Sequence, residues 1–222
     1  MVYLEKSQPA PVCLEKEKLK KDGDYKCEEV LERLSRDFKN KCYICEAKAP
    51  TTINVEHFVA HQGNQNLKFD WNNLFFACGH CNNTKLNKFD KLLNCTDLND
   101  DVAGKLKYVF NSFPIEQVSI EALDGSEETK ATQTLLLAVY NGITKLKVLE
   151  SANLRQQLLN EIDELQKSLM HYLKETNSAK DYEFYLTQIR GHLSRASGFT
   201  AFKRWIILEN ETLRAEFEQH FD

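Results

Sequence analysis

The chain has 222 residues, 42% of them hydrophobic and 28% charged, with a formal net charge of −4. That length can bury a real core, as one domain or as a catalytic core with a helical extension, and both fractions are ordinary for a soluble globular protein. The longest apolar runs, such as LLLAV at 135–139, fall far short of the roughly 20 residues a membrane span needs, and a free-standing DNA-coating protein would normally be basic.

In chain order, residues 1–25 read as an extended arm, polar and charged, with Pro9 and Pro11 and then a turn at Asp22-Gly23-Asp24. The arm has no apolar segment with a cleavage site, so a cytoplasmic location is expected. Residues 26–39 place Val30, Leu31, Leu34 and Phe38 on one helical stripe. Residues 51–59 and 73–78 suit strands, separated by a turn-rich loop, and a helix can start after Cys81 with an Asn at or near its cap. Residues 105–110 and 118–123 suggest a further hairpin. From Ser126 the pattern is helical: Ser126–Thr129 make a start and Asn141-Gly142 a stop. Leu154, Leu158, Ile162, Leu165, Leu169 and Leu173 then form the stripe of a long amphipathic helix, read as core. Two more helices, broken near Gly191 and Gly198, complete the chain.

Charge is uneven along the chain. Lys39–Lys91 carries seven lysines against four acids, whereas Leu92–Thr129 carries two lysines against eight acids. Positive charge therefore surrounds the cysteine-bearing segment, where a phosphate backbone would approach.

Seven cysteines, an odd number, argue against a closed disulfide framework. Cys42-Tyr-Ile-Cys45 and Cys78-Gly-His-Cys81 are two Cys-x2-Cys turns, and a reducing compartment directs such pairs to metal. Four thiolates saturate zinc, which makes the site structural. Cys13, Cys27 and Cys95 are expected to be thiols without a role. His80, inside the second pair, is expected to be exposed or a phosphate contact, with zinc ligation the alternative. The 32 residues between the pairs are too many for a simple zinc ribbon, so something is inserted.

The insert holds Val55-Glu56-His57-Phe58, and Asn73-Leu-Phe-Phe-Ala-Cys-Gly-His-Cys-Asn82-Asn-Thr-Lys85 follows. An acid-His pair, a central Asn, a residue just after the second Cys-x2-Cys and a Lys three residues on resemble the HNH (ββα-metal) nucleases. The resemblance implies an α+β fold: a treble-clef-like ββα-metal core with a structural four-cysteine zinc, flanked by an N-terminal helix and a C-terminal helical region. It divides the chain into an arm (1–25), a nuclease core (26–95), a connecting segment (96–125) and a helical region (126–222) that completes the core or binds a partner. Phosphodiester hydrolysis needs a water deprotonated near neutral pH, a task suited to histidine, and His57 is the expected general base. The resemblance further implies that Glu56 and Asn82 ligate a catalytic Mg²⁺ or Mn²⁺. It gives Asn73 the role of orienting the loop between the strands and places Lys85 near phosphate. His61 is either a second active-site imidazole or, as loops usually dictate, a surface histidine. The sequence departs from the family pattern in Glu56 before the base, Asn82 as the third motif residue, and Ala60 where a proline is common.

The arm and helix, Cys-x2-Cys, Glu-His-Phe and Asp70-Trp-Asn-Asn-Leu also resemble the small HNH subunits of Septu-type and retron-associated anti-phage systems. That likeness spans roughly residues 1–95. It implies antiviral defence, an ABC-type ATPase partner, and nucleic acid as substrate, DNA favoured over RNA. A catalytically inert, zinc-stabilised adaptor is the competing reading. Near the C-terminus, Arg190, Arg195, Lys203 and Arg204 are candidate nucleic-acid contacts and Phe202 with Trp205 a candidate partner anchor. A terminal helix with snorkelling bases is the favoured reading of that stretch.

Overall fold

β-Branched and aromatic residues draw the middle of the chain into a hairpin. In the computed structural model, which describes residues 1–222, Ile53–His57 (β1) pairs antiparallel with Leu74–Cys78 (β2), with Ile53 opposite Cys78 and His57 opposite Leu74. All five residues of β2 are buried, so this strand is apolar throughout rather than alternating. Gly79–Lys85 (α4) continues directly from β2, with the Cys78 sulfur accepting from the Cys81 amide as its cap. The helix thus begins ahead of Cys81, not after it as expected from Asn82, because the cysteine turn itself supplies the cap.

Val12–Lys18 (α1) and Glu28–Asp37 (α2) precede the hairpin. Val30, Leu34 and Phe38 of the expected stripe are buried, while Leu31 is exposed. The arm departs from expectation. Met1, Val2 and Leu4 are core residues, and the Leu4 amide donates to the Cys95 carbonyl at 2.8 Å. Lys6 lies over the Trp71 and Phe75 rings and donates to the Trp71 and Leu74 carbonyls. Its polar composition hid an apolar edge of three residues. Between the strands run two short helical turns, Gln65–Lys68 (α3), capped by Asn64, and a 3-10 turn at Trp71–Asn73, capped by Asp70.

After Val102–Lys105 (α5), the expected second hairpin forms from Leu106–Asn111 (β3) and Gln117–Ala122 (β4). Glu127–Asn141 (α6) is capped by Ser126 and stops at Gly142. There φ is +76°, and a Cβ would lie 2.5 Å from the Val148 backbone nitrogen, so only glycine fits. Lys145–Tyr172 (α7) carries the leucine stripe, buried from Leu154 to Leu169. Leu173, at its C-cap, is exposed. Three helices rather than two follow: Ala179–Leu193 (α8), Thr200–Leu208 (α9) and Glu211–Phe217 (α10). Gly191 lies inside α8 without breaking it, and the chain turns at Ser194–Phe199 instead, with Phe199 at φ +51°.

The fold is therefore mixed α+β, with ten helices and two small sheets. One apolar cluster of 39 buried residues runs from Met1 through the hairpin and α6 to Phe202, so the helical region completes the core that holds the cysteines. A smaller cluster joins α7, α8, α9 and α10. No helix is long and apolar enough to cross a membrane.

Candidate metal centre and adjoining groove

Two turns bring the four cysteines together. Cys42 and Cys45 lie in a turn closed by the Cys42 amide on the Ala47 carbonyl and the Glu46 amide on the Cys42 carbonyl. Cys78 ends β2 and Cys81 sits in the first turn of α4. All four are buried, their sulfurs lie within 4.8 Å of one another, and Cys45 and Cys78 are 3.9 Å apart. Zinc–sulfur bonds of about 2.3 Å in a tetrahedron place sulfurs roughly 3.8 Å apart, so this buried group can hold a metal such as zinc. Burial pushes the Cys81 thiol up, and a divalent ion is what makes several buried thiolates tolerable. Tyr140 of α6 braces the first turn by donating to the Cys45 carbonyl at 2.6 Å.

His80 neither ligates this centre nor faces solvent as a phosphate contact. Nδ1 is 2.6 Å from the Glu150 carboxylate and Nε2 is 2.8 Å from the Val139 carbonyl. Both ring nitrogens are thereby engaged in bracing α4 against α6 and α7.

Glu56 and His57 end β1; both are buried and both line one groove. Glu56 is 6% exposed and points inward. Its Oε1 accepts from Lys85 Nζ at 3.0 Å and its Oε2 from the Tyr43 hydroxyl at 2.8 Å. Burial raises its pKa, with the Lys85 charge and both hydrogen bonds opposing the rise. Lys85 has no exposure and also donates to the His57 carbonyl at 3.1 Å. One expectation changes here. Lys85 is not placed near phosphate, because its ammonium neutralises a buried carboxylate. Glu56 borders the groove, and each of its oxygens accepts one internal bond and keeps a second lone pair. The histidines and carboxylates form no compact group of three; the four cysteines alone do.

His57, 8% exposed, borders a groove of about 450 Å³ shared with Tyr25, Glu56, His61, Asn82 and Leu86. His57 Nε2 is 3.0 Å from the Lys68 carbonyl. A carbonyl only accepts, so Nε2 carries the proton and Nδ1 keeps its lone pair. Burial lowers the His57 pKa; the bond to Lys68 opposes this, while the charges of His61, Lys85 and Lys26 add to it. His61 is half-buried rather than a surface residue, its ring 4.6 Å from that of His57. The Gly63 amide donates to His61 Nδ1 at 3.1 Å, which leaves the proton of the neutral ring on Nε2. One imidazole thus offers an acceptor nitrogen and its neighbour a donor. Asn82, half-buried on α4, lines the same groove.

Asn73 orients the loop as expected. Its Oδ1 accepts from the Val59 amide at 2.7 Å, and its Nδ2 donates to the Val59 and Leu67 carbonyls at 2.9 and 3.0 Å. It acts through the backbone and lies outside the groove lining, so it positions rather than reacts. Together with Asn64 as cap of α3, it fixes the segment whose Lys68 carbonyl sets the His57 tautomer.

Several participants gave no sequence signal. Tyr25 packs its ring edge-on to His57 at 4.5 Å. Tyr43 sits inside the first cysteine turn, and spacing alone does not show that its hydroxyl serves Glu56. Cys13 and Cys27 form a disulfide, with Cα atoms 6.5 Å apart, and so are not the free thiols expected. An odd total excludes full pairing but not one pair beside four ligands and one buried thiol, Cys95.

The C-terminal bases mostly serve packing. Lys203 is buried on Glu161 at 2.6 Å, and Arg204 is held by Asp222 and by the Leu193 carbonyl. Arg195 pairs with Asp222, and Arg190 is exposed. In line with the favoured reading of a packed terminal helix, Phe202 is buried between Tyr108 and Tyr140, and Trp205 donates to the Leu106 carbonyl. The chain matches no protein-family model, and no curated protein matches it.

Proposed function

We propose that the chain is an HNH-type endonuclease that hydrolyses phosphodiester bonds, with β1, β2 and α4 as its ββα core and His57 as general base. The observation that carries this reading is the fixed tautomer of His57: Nε2 is engaged by the Lys68 carbonyl, and the ring borders an open groove. A general base must be unprotonated at working pH, and burial lowers the His57 pKa in that direction. Nδ1 takes a proton from water, the hydroxide attacks phosphorus, and the phosphate–oxygen bond opposite breaks. The departing alkoxide takes a proton from solvent water, whose hydroxide the His57 imidazolium then neutralises. His61 Nε2–H and the Asn82 amide are the groove's donors to the phosphate oxygens. Zinc on the four cysteines does no chemistry. It ties the turn after α2 to the β2–α4 junction and holds the strand bearing His57 in place.

DNA is the favoured substrate over RNA. Action in a cytoplasmic anti-phage complex with an ABC-type ATPase rests on the resemblance of residues 1–95 alone. The test incubates zinc-loaded wild type and His57→Ala with duplex DNA, single strands and tRNA, with and without Mg²⁺ or Mn²⁺. Cleavage by wild type that is lost in His57→Ala, with zinc content unchanged, supports the reading.

One observation favours a second reading. The carboxylate next to the base is bonded internally by Lys85 and Tyr43, as suits a zinc-stabilised nucleic-acid or protein adaptor. That reading gives binding without turnover under every condition, equal in His57→Ala and wild type.

A further inference from the structure

The Cys13–Cys27 disulfide closes a loop that ends on the groove. Of α1 only Leu14 is buried, so the disulfide is a principal tether of this helix to α2. Residues 19–26 turn tightly within the closed loop. Gly23 is packed so closely that a Cβ would lie 1.8 Å from the Glu17 carbonyl oxygen and 3.3 Å from the Phe69 ring. The Asp24 amide donates to the Glu17 carboxylate at 3.1 Å. From this turn two links reach His57. The Tyr25 ring packs on it directly at 4.5 Å. The Gly23 carbonyl accepts from Lys68 Nζ at 3.0 Å, and the carbonyl of the same Lys68 takes His57 Nε2.

We infer that Cys13–Cys27 is a redox modification site, a thiol-reducible latch that holds Tyr25 and Lys68 against His57. Both cysteines are half-buried, so a small dithiol can reach them. A thiolate of the dithiol attacks one sulfur, breaking the S–S bond and forming a mixed disulfide. Its second thiolate then displaces that cysteine and leaves as the cyclic disulfide. The protein gains two electrons and, once both cysteines are protonated thiols, two protons; the dithiol is oxidised by two electrons. The oxidised protein is the form with His57 orientation fixed. Reduction frees the 19–26 turn, and with it one wall of the groove and one anchor of Lys68.

The effect on cleavage rests on the nuclease reading, whereas the effect on order does not, so two readouts are paired. Full-length, zinc-loaded protein is equilibrated with oxidised glutathione or with dithiothreitol, beside a Cys13→Ser/Cys27→Ser variant. Amide hydrogen exchange is followed at residues 19–27 and 58–68, and cleavage of duplex DNA, single strands and tRNA is assayed in parallel. Reduction is expected to speed exchange in both segments by about tenfold or more while leaving α6 and α7 unchanged. The double variant is expected to match reduced wild type and to ignore redox state. Cleavage, where present, is expected to fall at least about tenfold on reduction, since misplacing a reacting group by about 1 Å can cost about a hundredfold. Equal exchange in the two redox states overturns the latch, as does finding Cys13 and Cys27 as free thiols in the oxidised sample. Absence of cleavage in both states, with the exchange difference present, leaves the latch standing and counts against the nuclease reading instead.

Discussion

Replacing Lys85 by methionine removes a cation that has no solvent exposure and leaves the Glu56 carboxylate, 6% exposed, with the Tyr43 hydroxyl as its remaining partner. The substitution keeps most of the side-chain volume but deletes the bonds to Glu56 Oε1 at 3.0 Å and to the His57 carbonyl at 3.1 Å. Removing one member of a buried ion pair costs about 3–5 kcal/mol, because the other charge stays buried without compensation. At roughly 2–4 °C per kcal/mol for a chain of this size, melting should fall by about 6–20 °C. The deficit should depend on pH with a definite sign. Burial already raises the Glu56 pKa, and loss of Lys85 raises it further. A carboxyl raised in the folded state favours folding below its unfolded pKa, and that contribution is lost as pH rises through the folded value. Lys85→Met should therefore lie closest to wild type in acid and fall away toward neutrality. Glu56→Gln in the same chain should restore part of the loss. Urea denaturation of zinc-loaded protein from pH 4 to pH 8 measures this. A neutral-pH deficit under about 1 kcal/mol, or one that does not shrink in acid, would refute the inward pairing of Glu56 and Lys85.

Three further outcomes follow from the site. One zinc per chain should be measured by atomic absorption, and chelation or Cys42→Ser should unfold the hairpin by circular dichroism; an unchanged melting curve after complete zinc removal would contradict the four-cysteine centre. Asn73→Ala strips three hydrogen bonds from the 59–67 loop. It should cost about 1–3 kcal/mol and speed hydrogen exchange at Val59, and unchanged protection there would remove its positioning role. Because burial lowers the His57 pKa, cleavage should rise with pH through a midpoint below the ordinary histidine value of about 6.5. By the same linkage, the stability His57 contributes is present above the unfolded pKa and lost as pH falls through the folded one. An acid limb centred above 7 contradicts the assignment.

What the sequence made legible was local. Ser126 and Gly142 bound α6 because a cap hydroxyl and a positive-φ glycine act within a few residues. The strand at 53–57 shows itself by its β-branched residues and the cysteine turns by their spacing. Asn73 stands out by motif order, and its contacts run within 14 residues of chain. Lys85 and His80 depend on partners farther away. Lys85 and Glu56 lie 29 positions apart and His80 and Glu150 lie 70 apart. Nothing local distinguishes a lysine offered to phosphate from one neutralising a buried acid. The arm's burial likewise depends on β3, since the Met1 amino group donates to the Tyr108 hydroxyl. The sequence leaves His61 open between a second active-site imidazole and a surface histidine, because its approach to His57 depends on how residues 58–63 fold, with the Gly63 amide holding the ring.

The central claim is that His57 is a base acting on phosphodiesters in a frame held by zinc. Its most direct test is cleavage of duplex DNA, single-stranded DNA and tRNA by wild type and His57→Ala at equal zinc content and matched circular dichroism. The account predicts cleavage by wild type and a loss of about 10²–10⁴-fold in the variant, the usual contribution of a general base. Equal cleavage by the two proteins, or binding of every substrate with turnover of none, would contradict it.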